Sequence, residues 1–418
     1  MQNTLEEIEL RGWLHAVRDF GNFSFLIVRN GCGTTQVVAS KALRESLGEA
    51  TLESVISARG NMVENASAPS GVELQASALT VISAVEEVLP VTLHKRELAA
   101  NLSTLLDFAP LTLRHPRRRA VFKLSATTMA GFRETLSARG FTEVQTPKLV
   151  ESATEGGANV FEVEYFGRKA YLAQSPQFYK QMMVGVFERV FEVGPVFRAE
   201  PHATSRHVNE YVSLDVEMGF IDSHLEVMAM LTEVLRGMLA TLELRCSAEL
   251  GLLEVDLPEV PEQIPAISFE RAKKVAGGDP SELDLSPAEE RAIGAWTLEE
   301  HGSAFVFVTG YPLAKRPFYT HPSSENPASS NSFDLLFRGT ELVTGGQRLH
   351  RYQDYLAALA ERGLSPEPFE GYLQAFRYGM PPHGGFAIGL ERFLMQLLGA
   401  SNLREVTLFP RDIHRLSP

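Results

Sequence analysis

The chain has 418 residues, 44% of them hydrophobic and 22% charged, a globular composition long enough for two or three packed units. A formal charge of −13 argues against coating nucleic acid non-specifically, since phosphate contacts need a basic surface, but it leaves room for reading one folded RNA through local patches and aromatics. Two distant cysteines, Cys32 and Cys246, argue against a disulfide framework or structural zinc. With a polar Met1–Leu10 and no apolar run near the ~20 residues of a membrane span, a cytoplasmic protein is expected.

In chain order, the first 85 residues read as short strands. Ile8–His15, Phe23–Val28, Thr35–Val38 and Val72–Gln75 are punctuated by turns at Gly21-Asn22 and Gly31-Cys32-Gly33, with one helical stretch near Lys41–Leu47. About five strands in this space predict a small closed β-barrel of the oligonucleotide-binding (OB) type over residues 1–85. Residues 86–115 carry Pro90 and Pro110 and no sustained period, so a hinge or linker is expected. A long helix is predicted over Arg117–Arg139, stopped by Gly140. The rest of the 116–418 unit alternates strands and helices without parallel βαβ runs. Within it, 254–298 is acidic and weakly patterned, and is expected to be an appended helical insertion. Neither a Walker loop nor a Rossmann glycine fingerprint is present.

Two constellations carry chemistry. The first runs from Phe197-Arg198-Ala199-Glu200 through Arg206-His207 and Tyr211 to Leu214-Asp215-Val216-Glu217. Two arginines, a histidine and an aromatic on two joined strands can hold a triphosphate and stack on a base; the plainer reading is a solvated hairpin with surface ion pairs. The second is Gly384-Gly385-Phe386-Ala387-Ile388-Gly389-Leu390-Glu391-Arg392, either a strand packed closely on a helix that aims Arg392 at the same cavity, or glycines serving packing alone.

Together these segments resemble motifs two and three of the class II aminoacyl-tRNA synthetases. The likeness extends to Ala153-Thr154-Glu155-Gly156-Gly157, to the run from Gln174 to Gln181, and to Phe333-Asp334, Gly339-Thr340-Glu341, Thr344-Gly345-Gly346-Gln347-Arg348 and Phe409-Pro410-Arg411-Asp412. Over nearly its whole length the chain resembles the aspartyl-tRNA synthetases of archaeal and eukaryotic type. That resemblance implies an OB-fold β-barrel followed by an α+β class II catalytic domain built on an antiparallel sheet.

The resemblance also implies roles. Arg198 would meet the ATP α-phosphate and, with Arg392, form the catalytic pair; Arg206, His207 and Arg392 would hold the γ-phosphate, while Glu200 and Tyr211 take the adenine. Glu341 and Asp334, with Thr344 where relatives often carry serine, would hold Mg²⁺. Lys180 and Arg348 would bind the side-chain carboxylate of L-aspartate, and Ser175, Gln177 and Glu155 its ammonium group. An exposed helix lysine is the plainer reading of Lys180. In the barrel, Phe25 would stack under an anticodon base, with Arg18 and Gln36 on base edges, although a strand phenylalanine is more often core. The long helix resembles motif one, whose family role implies a homodimer.

Aspartate and asparagine anticodons differ in their third base, C against U. Strict enzymes of this type carry a tryptophan where this chain has His15 and a lysine where it has Pro69. The match to the relaxed pattern implies charging of both tRNA(Asp) and tRNA(Asn), the second product passing to an amidotransferase. Alternatively, His15 is an exposed strand residue and Pro69 a turn proline, which leaves a discriminating aspartyl enzyme. An asparaginyl-tRNA synthetase, an inactive RNA-binding relative and an ammonia-using asparagine synthetase are the remaining rivals; Lys180, the set Arg198, Glu341, Arg348 and Arg392, and residues 1–85 argue against them in turn.

Overall fold

The computed structural model describes residues 7–68, 71–151, 159–202 and 204–417. Two units divide the chain, Met1–Arg119 and Ala120–Pro418.

In the first unit, β1 (Ile8–Asp19), β2 (Phe23–Asn30), β3 (Gly33–Ser40), α1 (Lys41–Glu45), β4 (Val55–Glu64) and β5 (Val72–Ser83) follow one another. The strands close in the order β1-β2-β3-β5-β4. Alternation decides the inside: Leu14, Leu26, Val28, Val37, Ile56, Ala58 and Leu74 meet in the barrel core. Closure forces one close approach, because a Cβ on Gly60 would lie 1.9 Å from the Gln75 carbonyl oxygen. β4 escaped the sequence reading; its alternation is broken by Gly60 and Asn61. Residues expected to be an irregular hinge contain two short helices, α2 (Leu102–Asp107), capped by the Asn101 side chain on the Thr104 amide, and α3 (Ala109–Thr112).

The long helix α4 (Pro116–Ala138) buries Ala120, Leu124, Thr128, Phe132 and Leu136, a stripe at helical spacing, and ends before Gly140 at φ 77°. β6 (Thr142–Glu143) follows, then a small sheet of β7 (Leu149–Val150), β8 (Glu162–Tyr165) and β9 (Arg168–Leu172), and α5 (Gln177–Phe187). β10 (Arg189–Phe197) and β11 (Glu210–Gly219) form an antiparallel pair, and α6 (His224–Arg245) starts on a capping box of Ser223 and Glu226 before α7 (Ser247–Leu253). After β12 (Ala266–Ser268), α8 (Phe269–Ala276) and α9 (Pro287–His301) come β13 (Phe305–Thr309), β14 (Ser332–Phe337), β15 (Thr340–Gln347), α10 (Tyr352–Glu361), α11 (Glu370–Arg377), β16 (His383–Gly389) and α12 (Leu390–Leu398).

Eight of these strands form one sheet in the order β12-β13-β14-β15-β16-β11-β10-β6, antiparallel except at its two edges. The core on one face of the sheet joins Leu214, Val216, Phe386 and Ile388 to the buried side of α6. The segment 254–298 corrects the expectation of an appended helical piece. Besides α8 and most of α9 it supplies the edge strand β12, and Ile267, Phe269, Ala272 and Ile293 pack with Val306, Val308 and Leu336 into a core of their own. Its weak amphipathic period reflects burial divided between short elements.

Candidate active site

Strand alternation sorts β11 into two faces. Leu214, Val216 and Met218 enter the core, while Tyr211, Ser213, Asp215 and Glu217 face the other way. Opposite them on β16 stand Gly389, Ala387 and Gly385, paired with Ser213, Asp215 and Glu217. These residues, two glycines and an alanine, leave a floor of small residues. At Gly385 nothing larger fits, since a Cβ would lie 2.1 Å from the Val216 carbonyl oxygen and 2.2 Å from Glu217 Oε2.

The next strand adds its groups through an irregularity. Leu335 pairs with Val343 and Leu336 with Glu341, so Leu342 is an extra residue. Three positions apart, Glu341 and Thr344 would point to opposite faces of a regular strand; the bulge returns both to the face of Asp334. The two-residue turn Arg338-Gly339, with φ 48° and 70°, fixes this register.

The resulting cavity, of about 520 Å³, is lined by Ser175, Gln177, Lys180, Arg198, Glu200, Arg206, His207, Tyr211, Asp334, Glu341, Thr344, Arg348 and Arg392. Every residue that the sequence nominated in the 116–418 unit is therefore in one place except Glu155, which lies outside the described residues. The Arg198 guanidinium stands 5.8 Å from the Tyr211 ring centre, and His207 shares a 2.6 Å hydrogen bond with the Thr204 hydroxyl. Arg392 Nη1 donates to the Glu341 carbonyl at 3.2 Å, and the Thr344 hydroxyl to the Glu341 carboxylate at 3.1 Å.

Lys180 is 1% exposed, far from the surface lysine of the plainer reading. Its Nζ lies 3.0 Å from Asp215 Oδ1 and 3.4 Å from Glu217 Oε2, and donates to the Phe386 carbonyl at 3.2 Å. Arg348 Nε donates to Glu217 Oε1 at 3.0 Å and Nη2 to the Gly385 carbonyl at 3.0 Å. Burial by itself would raise the Glu217 carboxyl; Arg348 and Lys180 outweigh it and hold the group below its ordinary value. Asp215 and Glu217 were visible in sequence but received no role, because only the fold reveals that both are buried against the two cations. Ser213 donates to Asp215 Oδ2, which ties that carboxylate down further.

A second cluster is over-supplied with negative charge. Asp334 is pushed up to about 6 by burial and by Glu341, against the opposing charge of Arg316, whose Nη2 donates to it at 2.9 Å. Glu290, on α9, is pushed up to about 7 by burial and by Glu341, whose backbone N–H donates to it. Glu290 and Arg316 were missed in sequence, since nothing local marks them; both arrive from distant segments.

In the barrel, β2 turns Ser24, Leu26 and Val28 inward and leaves Phe25, Ile27 and Arg29 on the outer face. Phe25 is half-buried there, edge-on to Phe20 and Phe23 at 5.3 Å from each. Arg18 pairs with Phe25, and Gln36 with Ile27, so Arg18, Phe25 and Gln36 share that face. Gln36 Nε2 donates to the buried Glu73 carboxylate at 2.8 Å. His15 is not the exposed strand residue of the plainer reading: its ring is 11% exposed, beside Arg29 and Glu53. Pro69 lies outside the described residues.

Comparison with known proteins agrees with this geometry. The family described as "tRNA synthetases class II (D, K and N)" matches residues 101–413, and "OB-fold nucleic acid binding domain" matches 8–82. The chain is 48% identical to the aspartate–tRNA(Asp/Asn) ligase of Thermus thermophilus, covering 99% of this chain and 97% of the relative, and 47% identical to that of Deinococcus radiodurans, covering 100% and 97%. Among solved structures, asparaginyl-tRNA synthetase from Pyrococcus horikoshii complexed with asparaginyl-adenylate superposes with a TM-score of 0.89 at 31% identity, covering 99% and 96% of the two chains. Aspartyl-tRNA synthetase from Entamoeba histolytica gives 0.86 at 30%, covering 99% and 90%. With an OB-fold barrel, an antiparallel-rich sheet and a single cavity gathering the nominated residues, the chain belongs to the class II tRNA synthetases of the D, K and N group.

Proposed function

We propose that this protein activates L-aspartate with ATP to aspartyl-adenylate and transfers the aspartyl group to both tRNA(Asp) and tRNA(Asn). The observation that carries the reading is the buried pair Lys180 and Arg348 in one cavity that is also lined by Arg198, Arg206, His207 and Arg392. That these relatives are aspartate–tRNA(Asp/Asn) ligases supports the wider tRNA range.

In this reading the aspartate side chain meets Lys180 and Arg348, and its ammonium group Ser175, Gln177 and Glu155. The α-carboxylate attacks the ATP α-phosphorus, the bond to the bridging oxygen breaks, and pyrophosphate leaves. Arg198 stabilises the charge that builds on the phosphoryl oxygens, while Arg206, His207 and Arg392 hold the leaving group and Tyr211 and Glu200 the adenine. No side-chain nucleophile is required. Asp334 and Glu341 fit Mg²⁺ by donor chemistry, because their excess negative charge is what a hard cation relieves. Among the described residues no cluster of three metal-ligating His, Cys, Asp or Glu side chains occurs, so ATP phosphates would complete the coordination. When bound, the cation would neutralise charge on those phosphates.

Residues 1–85 would read the anticodon through Phe25, Arg18, Gln36, His15 and Pro69, with 86–115 as the hinge and 116–418 as the catalytic domain. The protein would act as a cytoplasmic homodimer joined through α4; no helix among the described residues is long and apolar enough to cross a membrane. Misacylated Asp-tRNA(Asn) would be handed to an amidotransferase.

One observation favours a second reading. Asp215 and Glu217 already match the two cations charge for charge, so attraction to a carboxylate is weaker than two free cations would give, and asparagine becomes a competitor. Pyrophosphate exchange with aspartate and with asparagine, followed by aminoacylation of both tRNA transcripts, decides the matter. Exchange with aspartate alone and comparable kcat/KM on both tRNAs are expected. A hundredfold preference for tRNA(Asp), about 2.7 kcal/mol, would reduce the protein to a discriminating aspartyl enzyme, and exchange with asparagine alone would overturn the substrate.

A further inference from the structure

The barrel holds one side chain in a single hydrogen-bonding state. On β1, Leu14 pairs with Val28 and Ala16 with Ile27, which leaves His15 as an extra residue. This bulge places His15 and Ala16 consecutively on the outer face, between Leu14 and Val17, which turn to the core. Trp13, His15, Ala16 and Arg18 thus share the face of Phe25 and Gln36.

Behind the ring stands a buried ion pair. Arg29 and Glu53 are 2% and 3% exposed and joined by two hydrogen bonds, Nη1 to Oε1 at 2.9 Å and Nη2 to Oε2 at 2.7 Å. The second hydrogen of Arg29 Nη1 points at His15 Nδ1, 3.0 Å away. A guanidinium only donates, so Nδ1 accepts and carries no proton. Glu53 Oε1, the alternative partner, is 3.6 Å from Nδ1, too far for a hydrogen bond. Trp13 lies against the Arg29 guanidinium at 5.5 Å, and Arg114 flanks both Trp13 and Glu53 at 5.7 and 3.6 Å, which completes the frame around the pair.

We infer that Arg29 and Glu53 are positioning residues for tRNA selection: they lock His15 as its Nε2–H tautomer, so that the ring offers the third anticodon base a donor and no acceptor. The inference rests on the proposed reading in which this face binds the anticodon. Its chemical content is specific. Cytosine and uracil differ at N3 and at position 4 but share the O2 acceptor. A ring locked as a donor can satisfy O2 of either base, whereas a ring free to exchange tautomers could also accept from the cytosine amino group or the uracil N3–H and so tell them apart. Tolerance of both anticodons then follows from a fixed tautomer rather than from a missing contact.

The test uses the full-length protein. Removing only one member of a buried ion pair strands the other, so the pair is replaced together by apolar residues of similar size, Arg29→Met with Glu53→Leu, alongside His15→Ala and the triple variant. The readouts are kcat/KM for tRNA(Asp) and tRNA(Asn) transcripts, aspartate-dependent pyrophosphate exchange, and nitrogen-15 imidazole spectra with the His15 signal assigned by its loss in His15→Ala. The expected result is an Nε2–H signal for His15 in the parent. In the double variant the ratio of the two kcat/KM values should change by about fivefold or more, the effect of one hydrogen bond, with exchange unaltered. No further change is expected when the pair is replaced in the His15→Ala background. An Nδ1–H or doubly protonated ring in the parent would overturn the inference, as would an unchanged ratio in the double variant while His15→Ala alters it. If His15→Ala leaves both tRNAs unaffected, the anticodon reading of this residue fails instead. Should the double variant unfold, the tautomer signal of the parent remains decisive.

Discussion

Single residues here act through burial as much as through identity. Arg198 lines the cavity with its guanidinium near Tyr211, and a group that stabilises charge only as the phosphorus expands should matter to kcat more than to binding. Arg198→Gln is expected to lower kcat for pyrophosphate exchange about 10²- to 10³-fold with KM for aspartate little changed; steady-state exchange kinetics check both halves. His383 tests the opposite side of burial. It is fully buried, with Nδ1 bonded to the Pro381 carbonyl and Nε2 beside Gln181, and burial lowers it from 6.5 to about 4, with the charge of Glu217 opposing only in part. Between pH 6.5 and 4 the unfolded chain therefore binds the proton that the folded one refuses. The contribution of His383 is full above 6.5, falls as the pH drops through that window by about 3 kcal/mol, and levels off below 4, while the raised carboxyls of Asp334 and Glu290 act in the opposite sense. The difference between thermal melts of the parent and of His383→Gln, which keeps a donor and an acceptor, isolates this slope: the parent's advantage should shrink as the pH falls from 6.5 to 4, and a difference that does not change with pH would refute it.

At the scale of elements, two β-bulges do what regular strands could not. One brings Glu341 to the face of Asp334 and Thr344; the other turns His15 outward. Glu341→Gln would leave the bulge in place and remove the carboxylate that it aims into the cavity. Exchange activity should then be lost by at least about 10²-fold while circular dichroism still reports a folded protein; retained activity would mean that Glu341 has no part in the chemistry. These bulges also explain where sequence reading stopped. Most strands of the barrel, the long helix and the residue types of the cavity were legible, because alternation, helical spacing and motif order are local properties. β4 and the edge strand β12 were not, for one is interrupted by Gly60 and Asn61 and the other is three residues long.

For the whole molecule, α4 presents a buried stripe to the core and a run of basic residues, Arg117, Arg118, Arg119 and Lys123, near its start. If the resemblance of this helix to motif one carries the dimer with it, light scattering should give the mass of two chains at micromolar concentration; the mass of one chain would remove the homodimer from the proposal. The net charge of −13 fits a protein that binds RNA by shape and stacking on one face.

The amino-acid sequence by itself determined the class of chemistry. A class II site depends on a set of residue types in fixed local patterns, and Arg198, Lys180, Glu341, Arg348 and Arg392 could be named because those patterns resemble the family's motifs. Only the tertiary structure decided which charges meet. Asp215 and Glu217 are ordinary carboxylates until β16 supplies a floor of small residues and α5 brings Lys180 against them. Glu290 and Arg316 reach their partners from separate segments, and Arg29 of β2 meets Glu53, which lies just before β4. Electrostatic contacts of this kind depend on distance and burial, which no linear pattern encodes; the bulges that aim Glu341 and His15 depend on register, which is set by the neighbouring strand.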